Sequence, residues 1–392
     1  MDFQINRNIS LFSQIFFDKT ISEELEKEIT SSFSSLTSNE DEQAEFISCL
    51  ADINRKYNHK YMTPNFLNLW HKVSEKYDSQ FQSDMEILAA RALEMKEYNE
   101  KIASHIDFDA IFDFYDSQLK VKDSLKVFVC STIKNSGSFA KSFGNNIILK
   151  FNWGNKAADI CEILKQVCHR LFQTMDPNTK LSMRNYFLSH KSSNALPAYF
   201  MLDDVLAYAI GGLWIHSKLP DPKDSVLQHP NDNKIEKIAK STLNMVDEYL
   251  KAEKKIDKAF FEKFIKHVEE QFPKAYEEYA IMMKRICLVV ENGIDVPECK
   301  QIIKSAFQID EIQNEIGPYT TLFIGTNLGA PALRTIQSKL PHRNEDYLFI
   351  TKDEKTRKLY IIIKTNDMDK IKKAVERIKK QQAIRINYEE GL

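Results

Sequence analysis

The sequence predicts an α+β protein dominated by helix, and three observations carry that prediction. Gly numbers 10 and Pro 11 in 392 residues, too few for the turns of an all-β architecture or for a Gly-rich dinucleotide fold. Long stretches rich in Ala, Leu, Met, Glu and Lys, such as Asp84 to Ile102, are strong helix formers. β-Branched, alternating stretches are confined to a short central stretch and the carboxyl-terminal end. With 43% apolar and 11% aromatic residues, the chain can bury a sizeable core, and its length suits two or three domains.

Lys plus Arg number 54 against 56 Asp plus Glu, a net charge of -2, which predicts no global attraction to nucleic acid or to an anionic membrane. The Cys residues are scattered without a Cys-x-x-Cys pair, as expected of buried thiols in a reducing compartment rather than of a disulfide or zinc framework. No basic region followed by an apolar core opens the chain, so no signal peptide is read; a cytoplasmic protein, or one translocated without a classical leader, is expected. No uninterrupted apolar run reaches the roughly 20 residues that span a bilayer, so a soluble protein without membrane contact is expected.

Taken in order, residues 1–118 read as a helical region, with helix at Glu24 to Ile29 and over Asp84 to Ile102. His59, His71 and His105 lie too far apart in sequence to form a constellation. At Ser124 the texture changes: Leu125 to Cys130 alternates as a strand, Asn135-Ser-Gly-Ser138 turns, and Asn146 to Phe151 forms a second strand. Helix follows from Lys156 to Thr174, then Leu181 to Leu188, then a loop at Ser192 before Pro197 and a helix carrying Leu202 to Gly211. Beyond the polar loops at Pro220 and Gln228, helices are expected over Ile235 to Ala252 and Lys258 to Val290. The end reads as a small α/β module, 311–392, with strands at Thr320 to Gly325, Tyr347 to Thr351 and Leu359 to Lys364. Its helices are read at Ala332 to Leu340 and Asp367 to Gln382, with Asp353-Glu-Lys-Thr as a hairpin turn.

Two stretches carry the functional reading: Ile163-Leu-Lys165-Gln166-Val-Cys-His169-Arg-Leu-Phe172, and Asp203-Asp204-Val-Leu-Ala207. At helical spacing Glu162, Lys165, Gln166 and His169 share one polar arc, while Leu164, Cys168, Leu171 and Phe172 form the adjoining apolar arc. The first stretch resembles the His-Glu-x-x-His helix of the gluzincin metallopeptidases, and the second resembles their Asn-Glu-x-x-Ala helix. The order strand, turn, strand, first motif helix, intervening helix, second motif helix is that of the zincin core. The resemblance covers roughly residues 124 to 215 and implies a gluzincin-like core at 119–310.

The resemblance fails at the reactive positions. Lys165 stands where an imidazole would bind zinc, and an ammonium has no lone pair. Gln166 stands at the general base, and a carboxamide cannot take a proton from water. His169 and Asp204 remain as remnant ligand positions, short of the three protein ligands a catalytic zinc needs. The alternative register His169-Arg-Leu-Phe-Gln173 lacks the base and second imidazole as well. No metal or other cofactor is therefore expected, and Lys165 is read as replacing the lost cation by pairing with Asp203 or Asp204; the competing reading makes it a solvated helix lysine.

The expected function is a catalytically inactive metallopeptidase-like protein that binds a protein or peptide. In zincins the strand before the motif helix holds extended substrate through its backbone, which here nominates Asn146 and Ile148 beside Lys165, His169, Asp203 and Asp204. A live metal-dependent hydrolase with a rearranged site and a purely structural scaffold are the alternatives. Cys168 beside His169 is not read as a nucleophile pair, because adjacent helix residues point about 100° apart. Ile324-Gly-Thr-Asn-Leu-Gly329 could cradle an anion but lacks a phosphate-binding fingerprint, and the basic helix from Lys370 to Lys380 reads as a solvated face.

Overall fold

The computed structural model describes residues 1–15, 40–51, 64–119, 125–130, 138–151, 155–219, 233–313 and 317–392. The helix read at Glu24 to Ile29, His59, the Asn135-Ser-Gly segment and the polar loops between 220 and 232 lie outside them. In chain order the elements begin with β1 (Asp2–Gln4), α1 (Arg7–Ser13), α2 (Glu40–Ala51), α3 (Pro64–Ala103) and α4 (Phe108–Phe114). They continue with β2 (Lys126–Cys130), β3 (Phe139–Phe143), β4 (Asn146–Lys150), α5 (Lys156–Gln173), α6 (Pro177–Ser189) and α7 (Ala195–Ala207). A π-helical stretch, Tyr208–Trp214, continues α7 directly into α8 (Ile215–Lys218), before α9 (Asn233–Lys251), α10 (Lys258–Gln271) and α11 (Tyr279–Met282). The remainder is β5 (Arg285–Val290), α12 (Val296–Ala306), β6 (Glu311–Gln313), β7 (Thr320–Ile324), a 3-10 helix (Pro331–Lys339), β8 (Tyr347–Lys352), β9 (Leu359–Lys364), α13 (Met368–Lys380) and β10 (Tyr388–Gly391). The α+β, predominantly helical class is as expected.

The chain forms two compact units, 1–176 with 204–256 and 177–203 with 257–392. These boundaries differ from the division at 118 and 310 read from sequence texture. The sheet of the second unit already starts with β5, so the α/β module is larger than residues 311–392.

The first unit is built on a four-stranded sheet in the order β1-β2-β4-β3. β1, β2 and β4 are parallel, and β3 runs antiparallel to β4. Aromatic contacts between Phe12 of α1, Phe46 of α2 and Phe143 of β3 cover part of it. β4 is buried throughout, as a strand paired on both sides requires. This corrects the assignment of Asn146 and Ile148 to a peptide-binding strand. Asn146 pairs with Lys126 on one side and Phe143 on the other, Ile148 with Phe128 and Lys141, so the β4 backbone is already committed to its neighbours. β3 occupies the end of this sheet among the described residues.

The second unit carries a six-stranded sheet in the order β10-β8-β9-β7-β5-β6. β6, β5, β7 and β9 are parallel, and β8 and β10 are antiparallel to their neighbours. Leu333, Ile336 and Leu340, from the 3-10 helix and the residue after it, pack with Phe323, Tyr347, Phe349, Tyr360 and Ile362. The hairpin turn is confirmed: Asp353 Oδ1 accepts from the amides of Lys355 and Thr356, each at 2.8 Å. The single helix expected from Lys258 to Val290 is instead α10, α11 and β5. Ile286-Cys-Leu-Val-Val290 is an unbroken apolar run lying between β6 and β7, and periodicity alone does not separate such a strand from buried helix. The helix expected at Ala332 to Leu340 is the 3-10 helix.

The continuous helix Ala195–Lys218 has 24 residues and is long and apolar enough to cross a membrane by length and composition, yet 83% of its apolar window is buried inside the protein. Its apolarity is used in packing.

Candidate functional site

α5 starts where the sequence requires. Asn155 caps it by accepting from the Ala158 amide at 2.9 Å, and Asp159 sits in the first turn, where a carboxylate meets the positive end of the helix. The apolar arc is buried as expected, Leu164, Cys168, Leu171 and Phe172 each being at most 5% exposed. Burial also pushes the Cys161 thiol up to about 12, which suits a packed thiol rather than a nucleophile. Among the described residues no disulfide is formed.

The polar arc holds the candidate site. Lys165 is 7% exposed, so it is not the solvated lysine of the competing reading. Its ammonium donates to Glu162 Oε1 at 2.5 Å, one turn back on the same helix, and lies 5.5 Å from the centroid of the Tyr208 ring. The carboxylate that answers Lys165 is therefore Glu162, which replaces the expected pairing across to Asp203 or Asp204. An i, i+3 partner on its own helix is within reach of the lysine whatever the neighbouring elements do. Burial raises the Glu162 carboxyl, and the Lys165 ammonium pulls it back down.

Gln166 turns toward the sheet. Its Oε1 accepts from the Ser142 amide of β3 at 3.0 Å, so Gln166 anchors the strand at the end of the sheet. His169 is half-buried at the end of the same arc, close enough for its charge to favour ionised Glu162. Asp204 is half-buried in the first unit. Asp203 belongs to the second unit, where its carboxylate lies 4.0 Å from Arg285, which also stands over the Tyr199 ring.

The residue that sequence reasoning missed is Gly211. A Cβ there would lie 2.5 Å from the Lys165 amide nitrogen and 2.7 Å from Leu164 C and Lys165 Cα. The π-helical stretch thus meets α5 backbone to backbone at Lys165, which is the close approach only glycine allows. π-Helical turns inside α-helices are frequent at functional sites. The Gly211-Gly212 pair was the available signal.

The donor set does not fit a catalytic zinc. Lys165 is an ammonium in an ion pair, Gln166 is bound to backbone, and among the described residues no group of three or more His, Cys, Asp or Glu side chains is placed to hold a metal ion.

The loop Gly325 to Ala330 is occupied by a side chain of the protein itself. Glu291 Oε2 accepts from the Thr326 amide, from Thr326 Oγ1 at 3.0 Å and from the Asn327 amide at 3.3 Å. These bonds hold the Glu291 carboxyl below its ordinary value. Gly325, at φ 153°, leaves the space the Glu291 side chain fills. On the last helix, Lys370, Lys372 and Arg377 are paired with Asp346, Glu298 and Glu390, in keeping with a solvated face.

The Glu162–Lys165 pair makes a measurable prediction. Removing either partner leaves a mostly buried charge without its counterion, whereas removing both does not. Lys165→Met and Glu162→Gln are each expected to cost about 2–3 kcal/mol, and the double variant clearly less than their sum. A thermodynamic cycle from denaturant unfolding checks this; additive losses would mean that the two groups do not act as a pair.

Comparison with family models, with curated proteins and with solved structures finds no match to this chain.

Proposed function

We propose that this protein is a gluzincin-like pseudoenzyme whose first unit binds an extended peptide without hydrolysing it. The observation that carries the reading is the buried Lys165–Glu162 pair at the position of the first metal ligand. A resident cation there supplies charge but no Lewis acidity, and Gln166 beside it supplies no general base. Support also comes from the order of elements, since β2, β4, α5, α6 and α7 follow in the order of the resemblance, with β3 inserted between the two strands.

The peptide-binding strand in this reading is β3, not β4. Ser142 donates its amide to Gln166, so that amide points away from β4. By the alternation of an antiparallel ladder the Ala140 amide points the same way. A peptide would add to β3 along this side, exchanging backbone hydrogen bonds with Ala140 and meeting Gln166 at Ser142.

The test is binding of a fluorescent library of extended peptides to the full chain and to Ala140→Pro. Proline at an outward-facing amide of an end strand spares the ladder and blocks strand addition. Loss of binding by at least about tenfold (~1.4 kcal/mol) with an unchanged unfolding transition is expected; undiminished binding removes β3 from the proposal. Zinc content after purification without added metal separates the competing reading. Near-stoichiometric zinc that is lost in His169→Ala would indicate a live hydrolase.

A further inference from the structure

β3 is not uniform along its length. Its side chains alternate between the two faces of the sheet, and Phe139, Lys141 and Phe143 share one of them. Phe143 is 5% exposed and meets Phe12 of α1 edge to face, whereas Phe139 is 39% exposed and Lys141 is exposed beside it. The face is covered at one end of the strand and open at the other.

The open end is also positive. The charged residues of β2, β3 and β4 are Lys126, Lys141 and Lys150 alone. Register puts all of them on this face: Lys150 is opposite Phe139, Ile148 opposite Lys141, and Asn146 opposite both Phe143 and Lys126. Asp2 of β1 stands in register with Lys126, at the end of the sheet remote from β3. Lys141 forms no ion pair among the described residues. Its charge is available to a partner.

Resting on the strand addition to β3 proposed above, we infer that the bound peptide is acidic at one defined position. It runs antiparallel to β3, carries Asp or Glu opposite Lys141, and two residues toward its carboxyl end carries an apolar side chain opposite Phe139. The antiparallel sense is chosen because such pairing is the more stable per residue. With the Ala140 amide pointing outward, residue 140 exchanges the backbone hydrogen bonds, so Lys141 and Phe139 each face a non-hydrogen-bonded partner. Those are the closer pairs, with Cα atoms about 4.5 Å apart. At that spacing an opposite charge across from Lys141 is favourable and a like charge unfavourable, and an aromatic ring favours a β-branched or aromatic neighbour. The Ser142 amide is already taken by Gln166, which leaves the acidic residue near the amino end of the paired segment.

The probes are the fluorescein-labelled peptide Thr-Thr-Glu-Thr-Val-Thr-Thr and its versions with glutamine or lysine in place of the glutamate, titrated into the full chain and into Lys141→Glu. Wild type is expected to bind the glutamate peptide about three- to fivefold more tightly than the glutamine peptide, the range an opposite-charge cross-strand pair supports, and the lysine peptide most weakly. The preference should shrink as salt is added. Lys141→Glu should reverse the order of the glutamate and lysine peptides, and an unchanged unfolding transition shows that this exposed substitution leaves the fold intact. An order that stays the same in Lys141→Glu would overturn the assignment to Lys141. Equal binding of the three peptides, lost in Ala140→Pro, would overturn the acidic preference and leave strand addition standing. Failure of all three to bind would remove both.

Discussion

Gly211→Ala is expected to unfold or severely weaken the first unit, while Gly212→Ala leaves it intact. The methyl group at 211 would sit 2.5 Å from one backbone atom of α5 and 2.7 Å from two others, and backbone in the middle of an 18-residue helix cannot step aside as a side-chain tip can. The α5 backbone at Leu164 and Lys165 would have to separate from the π-helical stretch by several tenths of an ångström. That movement would loosen the packing of Leu164, Tyr208 and Ile210, each at most 2% exposed. Overpacking a well-filled core typically costs 1–3 kcal/mol, and a backbone obstacle puts this case above about 3 kcal/mol. For a unit of this size that corresponds to a fall of roughly 6–12 °C in Tm. At Gly212 an added Cβ meets nothing closer than 3.8 Å, and exchanging a helical glycine for alanine gains up to about 1 kcal/mol. Thermal unfolding of the two variants side by side checks the contrast, since a general intolerance of the helix would lower both.

The same position shows where sequence reading stops. A glycine pair in an apolar helix reads as a local cost, and only the arrival of α5 reveals why residue 211 has no side chain. α5 itself was legible almost to the residue, Lys156 to Thr174 expected against Lys156–Gln173 observed. Its cap, its amphipathic arcs and its end are all local properties. β9 was legible for similar reasons, with Leu359 to Lys364 expected and found. β3 was not, because Phe139-Ala-Lys-Ser-Phe143 has no β-branched residue and shows its strand character only beside β4.

The order of strands across the first sheet was equally hidden. β4 follows β3 in the chain but lies between β2 and β3, and no pattern within β4 says that both its sides are taken. That is why Asn146 and Ile148 read from sequence as an open strand, although both sides of β4 are paired. At the site, Lys165 and Gln166 were visible in the residues, but their partners Glu162 and Ser142 were not. Glu162 was on the expected arc and was passed over, since a pairing across the two helices was sought instead.

The largest loss after Gly211 is expected at Asp159. This carboxylate is fully buried in the first turn of α5, and it pairs with Arg91 of α3, which is 7% exposed. Arg91 reaches it across 68 positions of sequence, bonds Glu94 at 3.0 Å and lies 5.5 Å from the Phe151 ring centroid. The pair therefore fixes the 40-residue α3 against the start of the motif helix. Asp159→Ala removes the fully buried carboxylate from a guanidinium that keeps only its half-exposed partner Glu94 of the two named, and such half-made pairs cost about 3–5 kcal/mol. Arg91→Met is expected to cost a similar amount. Replacing both residues, as Arg91→Met with Asp159→Leu, removes both buried charges and should recover most of the loss. Denaturant unfolding of the three variants decides the matter. If the double variant is no better than the singles, packing rather than charge pairing joins α3 to α5.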